Sequence, residues 1–530
     1  MLSLKERRFG AKPVLIGIFL FLSCNAWAQT NTTLAERIQG IINRPEYKHS
    51  HFGIELYSLD EQRTIYSLNP DQFMVPGSTT KMLTEGAGLC LLGPDFRFHT
   101  HVYRTGPIVA GVLQGDLVLV ASGDPNLSNR VQPDGTLAFM NNDHDYDMQP
   151  GAQPVPGDPL LVIRELAGQV AAHGIKRIEG RVLVDDSLFR SEAGEINVRL
   201  TLSPIMVNDN LVDLTLEPTT IAAPALLKVS PETAYVRFIN QTQTRAAGGA
   251  AQLQFGGSWA SDVKNPDGTH TVTVSGMVPQ GKSTFHAYHV PEPVQFAEMT
   301  FTEALRDKGI GANADLLAKP DFKTLVSSYR EENEVAEHVS PPLTEEAKVT
   351  LKVSQNVHAS MMPFIIGSVL GHTSERADFA GLGLMHKLFE DAGLDLNALM
   401  QNDGAGGAMF TPDFGVKFLT YMSRQRFFPA YLKALPILGK DGTLAPIQAS
   451  AAAAGHVFAK TGTAIQSDAI NKRMMLVGKG LAGYIVTPDG RKVAFAAFVN
   501  SVPIRSLADM EMAGQALGEI ASAAYDLLTH

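Results

Sequence analysis

Both ends of the chain carry strand-like segments, and helical segments lie between them. Near the start, His51 to Leu59 and Thr64 to Asn69 alternate apolar and polar residues around a short polar link, which predicts a β-hairpin. Near the end, GHVFAKTGT, LAGYIVTP and KVAFAAFVN alternate in the same way, with Pro488-Asp489-Gly490 as a hairpin turn. Strands from both ends can share one sheet, so the pattern predicts a single α+β domain completed by both termini.

The middle of the chain has a different sequence pattern. From residue 101 to residue 335, short strand-like runs alternate with turn residues, which predicts an all-β accessory region of one or two subdomains. Within it, residues 131–158 are rich in Asn, Asp, Pro and Gly and predict a long exposed loop. The α+β domain is therefore expected to consist of residues 29–100 and 336–530, around this insertion.

The first 28 residues have the pattern of an export signal. Basic residues precede an apolar run of ten, and Ala26-Trp27-Ala28 ends the segment as a cleavage site. Lipidation at Cys24 is the alternative, although Phe21 fits that signal poorly. With the leader removed, Cys90 is the one cysteine left and no intrachain disulfide can form. We therefore predict a periplasmic protein.

A nucleotide-binding motif also occurs in the insertion. Gly276, Gly281, Lys282 and Ser283 satisfy the phosphate-loop pattern. A working phosphate loop must open a helix, but TFHAYHVPEP after Ser283 alternates like a strand and ends in two prolines. The segment is predicted to be a β-hairpin. A net charge of −10 likewise argues against nucleic acid as the main partner.

Ser78-Thr79-Thr80-Lys81 places a hydroxyl and an amine three residues apart. Positions i and i+3 of a helix face the same side, so the Lys81 amine can reach the Ser78 oxygen. A lysine serves as base for a serine when burial or a second cation disfavours its ammonium form. Alone the motif is weak, because it occurs by chance about once in a chain of this length. A helix-capping Ser78 with a solvated Lys81 is the alternative.

Ser354 and Asn356 form an S-x-N motif where a loop is predicted to enter a helix. The hydroxyl can relay a proton, and the amide can bind a substrate carbonyl or hold Lys81. Helix capping is again the alternative, since S-x-N is as common as S-x-x-K.

Lys460-Thr461-Gly462-Thr463 lies on a predicted strand. The lysine offers a cation for a carboxylate, and Gly462 lets a ligand backbone approach. The Thr463 amide can form an oxyanion hole with the Ser78 amide. K-T-G is expected by chance in roughly one such chain in ten.

The three motifs occur in the order S-x-x-K, S-x-N, K-T-G, a set found in penicillin-binding proteins and class A β-lactamases with S-D-N at its centre. Two further features indicate one family within this superfamily. They are the long interval from Ser78 to Ser354 and segments such as VPGSTTKMLT and MVNDNLVDLTLEP. The chain resembles the D-alanyl-D-alanine carboxypeptidase/endopeptidase family of low-molecular-weight (class C) penicillin-binding proteins, peptidase family S13, over nearly all of residues 34–525. The resemblance implies a serine β-lactamase/transpeptidase-like domain with a large β-rich insertion.

The resemblance also implies a role for each motif residue. Ser78 would be acylated with Lys81 as its base, and Ser354 and Asn356 would assist proton transfer and substrate placement. Lys460 and Thr461 would hold a carboxylate, beside Gly462 and Thr463 at the oxyanion hole. The substrate would be the D-Ala-D-Ala end, or a cross-link, of a peptidoglycan stem peptide, and β-lactams would trap the acyl-enzyme. No cofactor and no metal are expected, and peripheral association with the membrane or with wall enzymes stays open.

One segment departs from the family pattern. Asp403-Gly404-Ala405-Gly406-Gly407 stands where members usually carry D-G-S-G-L-S, so two hydroxyls are missing from a segment expected to line the site. A peptidoglycan-binding protein with reduced catalysis therefore stays open as an alternative. A β-lactamase or esterase that uses the same residues is a further one.

Two other sets of polar residues could bind a ligand. Asp185 and Asp186 follow a predicted strand and can bind the free amine of a diaminopimelate side chain or cap a turn. The pairs His49/His51 and His99/His101 alternate as strand residues do, so each pair can share a face. Because neither pair has a third ligand at metal spacing, no metal site is predicted.

Overall fold

The computed structural model of the protein describes residues 33–144, 151–190, 192–193, 201–255 and 262–529. The predicted leader and residues 145–150 of the predicted loop lie outside these ranges. The helices within the described ranges are α1 (Leu34–Ile42), α2 (Thr80–Leu91), α3 (Leu161–Ala172), α4 (Pro293–Asp307), α5 (Leu343–Val353), α6 (Asn356–Gly371), α7 (Ala377–Asp391), α8 (Pro412–Met422), α9 (Phe428–Ala434) and α10 (Leu507–Thr529). None of these helices is both long enough and apolar enough to cross a membrane.

The strands of the first half are β1 (His51–Ser58), β2 (Arg63–Leu68), β3 (His99–Arg104), β4 (Ile108–Val109), β5 (Val112–Leu113), β6 (Leu117–Val120), β7 (Arg177–Ile178), β8 (Val182–Asp185), β9 (Glu192–Ala193), β10 (Thr201–Leu202), β11 (Leu211–Glu217), β12 (Leu226–Ser230) and β13 (Val236–Arg245). Those that follow are β14 (Gln252–Phe255), β15 (Asp262–Lys264), β16 (His270–Pro279), β17 (Thr284–His289), β18 (Glu334–Val339), β19 (Leu399–Gln401), β20 (Ala408–Phe410), β21 (Val457–Asp468), β22 (Arg473–Val486) and β23 (Lys492–Ile504).

The main sheet is antiparallel, with the strand order β2-β1-β23-β22-β21. β1 from the start of the chain pairs along its whole length with β23 from the end. This pairing confirms the prediction that both termini complete one sheet. The predicted hairpin of β1 and β2 is confirmed, as is the turn before β23, where Gly490 adopts a φ of 88°.

Both faces of the main sheet are covered. Alternate residues of a strand point to opposite faces, and in β23 both sets are buried. Phe495 and Val499 belong to a core built with α1 and α10. Ala494 and Phe498 belong to a second core built with α2, α6 and α8. The sheet therefore lies between two helical layers, and α2 and α6 are held on the same side of it.

The insertion has its own core and several small sheets. The expectation that it is all-β is wrong, because it also contains α3 and α4. In α3 the residues Val162, Leu166 and Val170 recur at helical spacing and are buried. This helical period is hard to see in the sequence because short strand-like runs surround it. Both predicted boundaries of the insertion fall inside β3 and β18, which pair with each other. The division into 29–100, 101–335 and 336–530 stays a prediction.

The segment with the phosphate-loop pattern forms strands on both sides of a turn. β17 begins one residue after Ser283, so no helix follows the motif and the nucleotide-binding interpretation fails. The expected hairpin is also wrong, because β16 pairs with β13, β14 and β15 whereas β17 pairs with β11. Gly276 has a φ of 118°, and a Cβ there would lie 2.0 Å from the carbonyl oxygen of Gln252. The absence of a side chain at Gly276 therefore allows the neighbouring strand to pack closely.

The expectation that residues 131–158 are exposed is wrong for part of the loop. Leu137, Asp143 and His144 are all buried. The physical reason is charge pairing, since Asp143 forms a bidentate ion pair with buried Arg130 at 2.8 Å. A composition typical of loops gave no sign of this pairing.

Candidate active site

The chain enters the site through a tight turn before α2. Gly77–Thr79 form a 3₁₀ turn, and α2 follows at Thr80. Gly77 has a φ of +54°, and a Cβ there would lie 2.5 Å from the backbone nitrogen of Thr463. A residue with a side chain cannot occupy this position without displacing the strand. The glycine therefore brings the backbone of Ser78 against β21.

Lys81 is the centre of the site. Its Nζ lies 2.7 Å from the Ser78 hydroxyl oxygen, 2.6 Å from the Asn356 side-chain oxygen and 3.1 Å from the Ala405 carbonyl oxygen. Lys81 is fully buried, and the N-cap of α2 is Thr79, which makes no side-chain capping hydrogen bond. The alternative of a capping serine with a solvated lysine is therefore wrong.

Ser354 and Asn356 reach the site from a sharp reversal between two helices. α5 ends at Val353, Ser354 adopts the left-handed conformation with φ 65° and ψ 36°, and α6 begins at Asn356. Because of this reversal the two side chains contact different lysines. Asn356 contacts Lys81, and the Ser354 hydroxyl oxygen accepts a hydrogen bond from Lys460 at 2.9 Å. The structure thus brings the first and second motifs together.

The third motif lies on β21, as predicted. Gly462 faces the turn before α2, and a Cβ there would lie 1.8 Å from the carbonyl oxygen of Pro76. Only glycine allows this approach. Lys460 is fully buried, and burial, then the charges of Lys81 and Lys479, hold its pKa well below the usual lysine range. All predicted site residues therefore lie in one assembly around Ser78.

Two residues absent from the sequence-based prediction also contact the third motif. Lys479 on β22 lies opposite Thr463 in the register of the hairpin and donates to its hydroxyl at 2.7 Å. Burial lowers the pKa of Lys479 to about 8. Thr443 is 2.8 Å from the hydroxyl of Thr461. A lysine inside an otherwise apolar strand was the available signal for Lys479, whereas nothing in the sequence marked Thr443.

The segment that departs from the family pattern touches the site directly. Asp403 accepts hydrogen bonds from the backbone amides of Ala405, Gly406 and Gly407 at 2.8, 2.8 and 2.9 Å. The resulting turn places the buried Ala405 carbonyl against Lys81. The expectation that this segment lines the site is confirmed, and its contact with Lys81 is made by the backbone.

A buried network of charges connects the insertion with α6. Arg130 pairs with Asp143 and with Asp209, the latter at 2.8 Å. His144 lies 2.9 Å from Asp209 and 2.9 Å from Asp213. Burial by itself would lower the pKa of His144. The two carboxylates outweigh this effect, so that the pKa is raised to about 10. Asp209 therefore serves as the shared anion of the network.

The network continues to the second motif through His358, two residues after Asn356. Its imidazole lies 2.7 Å from Asp209 and 3.1 Å from Glu346, and the carboxylates overcome burial to raise its pKa to about 10. Glu85 on α2 is also buried, and burial together with the charge of Glu346 raises its pKa well above the ordinary range. Glu85 lies one helical turn after Lys81 on the same helix.

Asp185 has a structural role. Its carboxylate accepts the backbone amide of Ser187 at 2.9 Å and the hydroxyl of Tyr329 at 2.6 Å, and the residue is buried. These contacts match the turn-capping interpretation.

Comparisons with known proteins match nearly the whole chain. The model of the family described as D-Ala-D-Ala carboxypeptidase 3 (S13) matches residues 34–521. The D-alanyl-D-alanine carboxypeptidase of Actinomadura sp. (strain R39) is 26% identical over 495 residues, which cover 88% of this chain and 81% of the relative. The D-alanyl-D-alanine carboxypeptidase DacB of Haemophilus influenzae is 24% identical over 469 residues, 85% of each chain.

Solved structures show the same fold. The crystal structure of penicillin binding protein 4 (dacB) from Haemophilus influenzae superposes with a TM-score of 0.68 at 20% identity, covering 93% of this chain and 99% of that one. Its complex with a novel β-lactam gives a TM-score of 0.65 at 19% identity, with the same coverage. The likeness confirms the predicted α+β, transpeptidase-like fold with an extra sheet-rich region.

Proposed function

We propose that Ser78 is the nucleophile of this enzyme, since the chain belongs to the D-Ala-D-Ala carboxypeptidase 3 (S13) family and is a serine-type D-Ala-D-Ala carboxypeptidase. The observation that carries the proposal is the contact of the Lys81 amine with the Ser78 hydroxyl at 2.7 Å, inside a buried site. A lysine that touches a serine in this way can take its proton during attack.

In the proposed acylation step, Lys81 in its amine form accepts the Ser78 proton while the serine oxygen attacks the carbonyl carbon of the D-Ala-D-Ala bond. The tetrahedral intermediate collapses, the C–N bond breaks, and the leaving amine takes the proton that Lys81 accepted, which returns Lys81 to its amine form. Ser354 lies 2.9 Å from Lys460 and is the hydroxyl placed to pass that proton on. Water then attacks the ester, releasing the shortened peptide and restoring Ser78.

Substrate placement in this proposal rests on the second and third motifs. Lys460 and Thr461 receive the terminal carboxylate, and the Asn356 amide binds a carbonyl of the peptide. The backbone amides of Ser78 and Thr463 stabilise the oxyanion. These two amides belong to backbones in close contact, since Gly77 packs against Thr463.

The substrate in this proposal is the D-Ala-D-Ala end of a peptidoglycan stem peptide, and a cross-link is a second substrate through endopeptidase action. The named activity of the relatives supports the first part. A β-lactam carbonyl would be attacked by the same serine, but its amine stays tethered to the acyl group, so the ester persists. These substrates place the enzyme at the cell wall, in the periplasm if residues 1–28 act as an export signal.

One experiment tests the proposal. The purified protein is incubated with a fluorescent penicillin, and D-alanine release from a pentapeptide is followed in parallel. Wild-type protein is expected to be labelled and to release D-alanine, whereas Ser78→Ala does neither. Ser467→Ala changes an exposed serine on the same strand as Lys460 and is the matched control. Absence of label on the folded wild-type protein would refute the acyl-enzyme.

The same experiment addresses the alternatives raised by Asp403–Gly407. Stable labelling without D-alanine release indicates a binding protein with reduced catalysis. Rapid loss of the label with antibiotic hydrolysis indicates a β-lactamase. Release from a cross-linked dimer as well as from the pentapeptide adds the endopeptidase activity.

A further inference from the structure

A cluster of imidazoles and carboxylates lies on the sheet that joins the insertion to the rest of the chain. His99 and His101 alternate along β3, and their rings stack 6.1 Å apart at 18°. β18 pairs antiparallel with β3 and places Glu337 opposite His101. The sequence supplied two possible ligands two residues apart, and the strand register supplies a third from far along the chain.

The ligand atoms of this cluster already converge. A carboxylate oxygen of Glu337 lies 2.6 Å from the Nδ1 of His99 and 3.8 Å from the Nδ1 of His101. One ligand atom from each of these three residues can be chosen so that all lie within 4.8 Å of one another. Glu334 adds a second carboxylate, with an oxygen 3.1 Å from the Nδ1 of His101.

We propose that His99, His101 and Glu337 bind a divalent transition-metal ion, with zinc as the fitting ion. Zinc takes imidazole nitrogens and carboxylate oxygens at about 2.0–2.2 Å, so two ligand atoms on one zinc lie at most about 4 Å apart. The pairs Glu337–His99 and Glu337–His101 meet that limit. Small side-chain rotations bring the ligand atoms of His99 and His101 within the same limit of each other. Glu334 or a water molecule fills the fourth tetrahedral position.

The surroundings of the cluster admit an ion. The side chain of His99 is 52% exposed and that of Glu337 is 32% exposed, so the metal can enter from solvent. The two imidazoles stack in series with Tyr103, which holds their planes nearly parallel. Imidazole and carboxylate together suit zinc better than magnesium or calcium, which prefer oxygen ligands alone.

The position of the site indicates what the ion does. β3 carries the chain from α2 into the insertion, and β18 brings it back to α5. A metal ion bound by both β3 and β18 links the two strands that connect the insertion with the rest of the chain. Bound zinc is therefore expected to stabilise the folded chain, by mass action on the native state, without taking part in chemistry at Ser78.

Zinc binding by the untagged, chelator-treated chain provides the test, measured by isothermal titration calorimetry with zinc chloride. One ion per chain is expected, together with a rise in melting temperature. His101→Ala and Glu337→Gln are each expected to abolish the calorimetric signal and the rise, and Glu337→Gln keeps the size of the side chain. Penicillin labelling of Ser78 confirms that each variant is folded.

The matched control is the double variant His49→Ala/His51→Ala. This pair has the same spacing, but among the described residues no carboxylate forms an ion pair with either histidine. The control is expected to bind zinc as the wild type does. Failure of the wild type to bind, or binding retained in both His101→Ala and Glu337→Gln, would overturn the proposal.

Discussion

The Lys460 amine lies 2.9 Å from the Ser354 hydroxyl, in a site where Lys81 is also fully buried. Burial and the nearby cations hold the pKa of Lys460 well below its usual range. A lysine in this condition gives up a proton readily. Ser354 accepts a hydrogen bond from this lysine and lies on the same reversal that brings Asn356 to Lys81.

We expect Ser354→Ala to lower D-alanine release by about a hundredfold or more, because a positioned proton-transfer group contributes roughly 10²–10⁴ in rate. The measurement is the kcat for D-alanine release from a pentapeptide. The exposed Ser467→Ala variant should keep the wild-type rate. A Ser354→Ala enzyme with an unchanged rate would remove Ser354 from the proton path.

Substrate binding should weaken above pH 8 because of Lys479. Burial lowers the pKa of Lys479 to about 8, so the side chain is a cation below that pH and neutral above it. It donates to Thr463, which lies two residues after Thr461 of the proposed carboxylate site. The KM for a D-Ala-D-Ala peptide is expected to rise as pH increases through 8, and Lys479→Met should show a raised KM without that rise. The same pH profile in the variant would exclude Lys479 as its origin.

Gly462 is expected to tolerate no side chain. A Cβ at this position would lie 1.8 Å from the Pro76 carbonyl oxygen, so Gly462→Ala must push β21 away from the turn that carries Ser78. Penicillin labelling should fall by at least about tenfold, since misplacement of reacting groups by about 1 Å costs on the order of 10²-fold in rate.

The matched control for Gly462→Ala is Gly383→Ala. Gly383 lies in α7, where an added Cβ meets nothing within 4 Å. Alanine is favoured over glycine in a helix by about 1 kcal/mol, so this variant should gain stability and keep its labelling. Equal labelling of the two variants would contradict the argument from close approach.

The local parts of the site could be predicted from the sequence. Ser78 and Lys81 meet because positions i and i+3 of one turn of helix face the same side, and this holds without knowledge of the fold. Ser354 is the left-handed residue that ends α5, and Asn356 begins α6 two residues later. By contrast, the contact of Asn356 with Lys81 joins distant parts of the chain, and only the order of the motifs indicated it.

The missed residues depend on register and on tertiary packing. Lys479 faces Thr463 only because of how β21 and β22 pair, including an irregularity between Ala464 and Ile465. Glu85 is a charged residue of a kind usually exposed on helices, yet α2 is buried on nearly all sides. No periodicity in the sequence reports that a helix passes through the centre of a domain.

The charge network behind α6 had no local signal either. Asp209 lies in an asparagine-rich turn that is typical of a loop, and its partners Arg130, His144 and His358 come from three separate segments. Their meeting creates a group of ionised side chains in a buried place, where removal of one partner leaves the others uncompensated. Its effect on stability is therefore open to measurement.

The stability of the protein should fall between pH 7 and pH 10 in a way that depends on His358. Its pKa is raised from the ordinary 6.5 to about 10. A raised pKa contributes stability that is fully present below about 6.5 and is lost as pH rises through about 10. His358→Gln should cost about 3–5 kcal/mol at neutral pH, because Asp209 and Glu346 lose a buried cation.

The measurement is the free energy of unfolding by guanidinium chloride at pH 7 and pH 10. The loss between the two values should be smaller in His358→Gln than in the wild type, since the variant lacks the group whose proton is released. His173→Gln, which changes an exposed histidine, should keep the wild-type slope. If His358→Gln and the wild type lose equal stability, His358 is not charged in the native state, and Asp209 must be balanced by Arg130 and His144 alone.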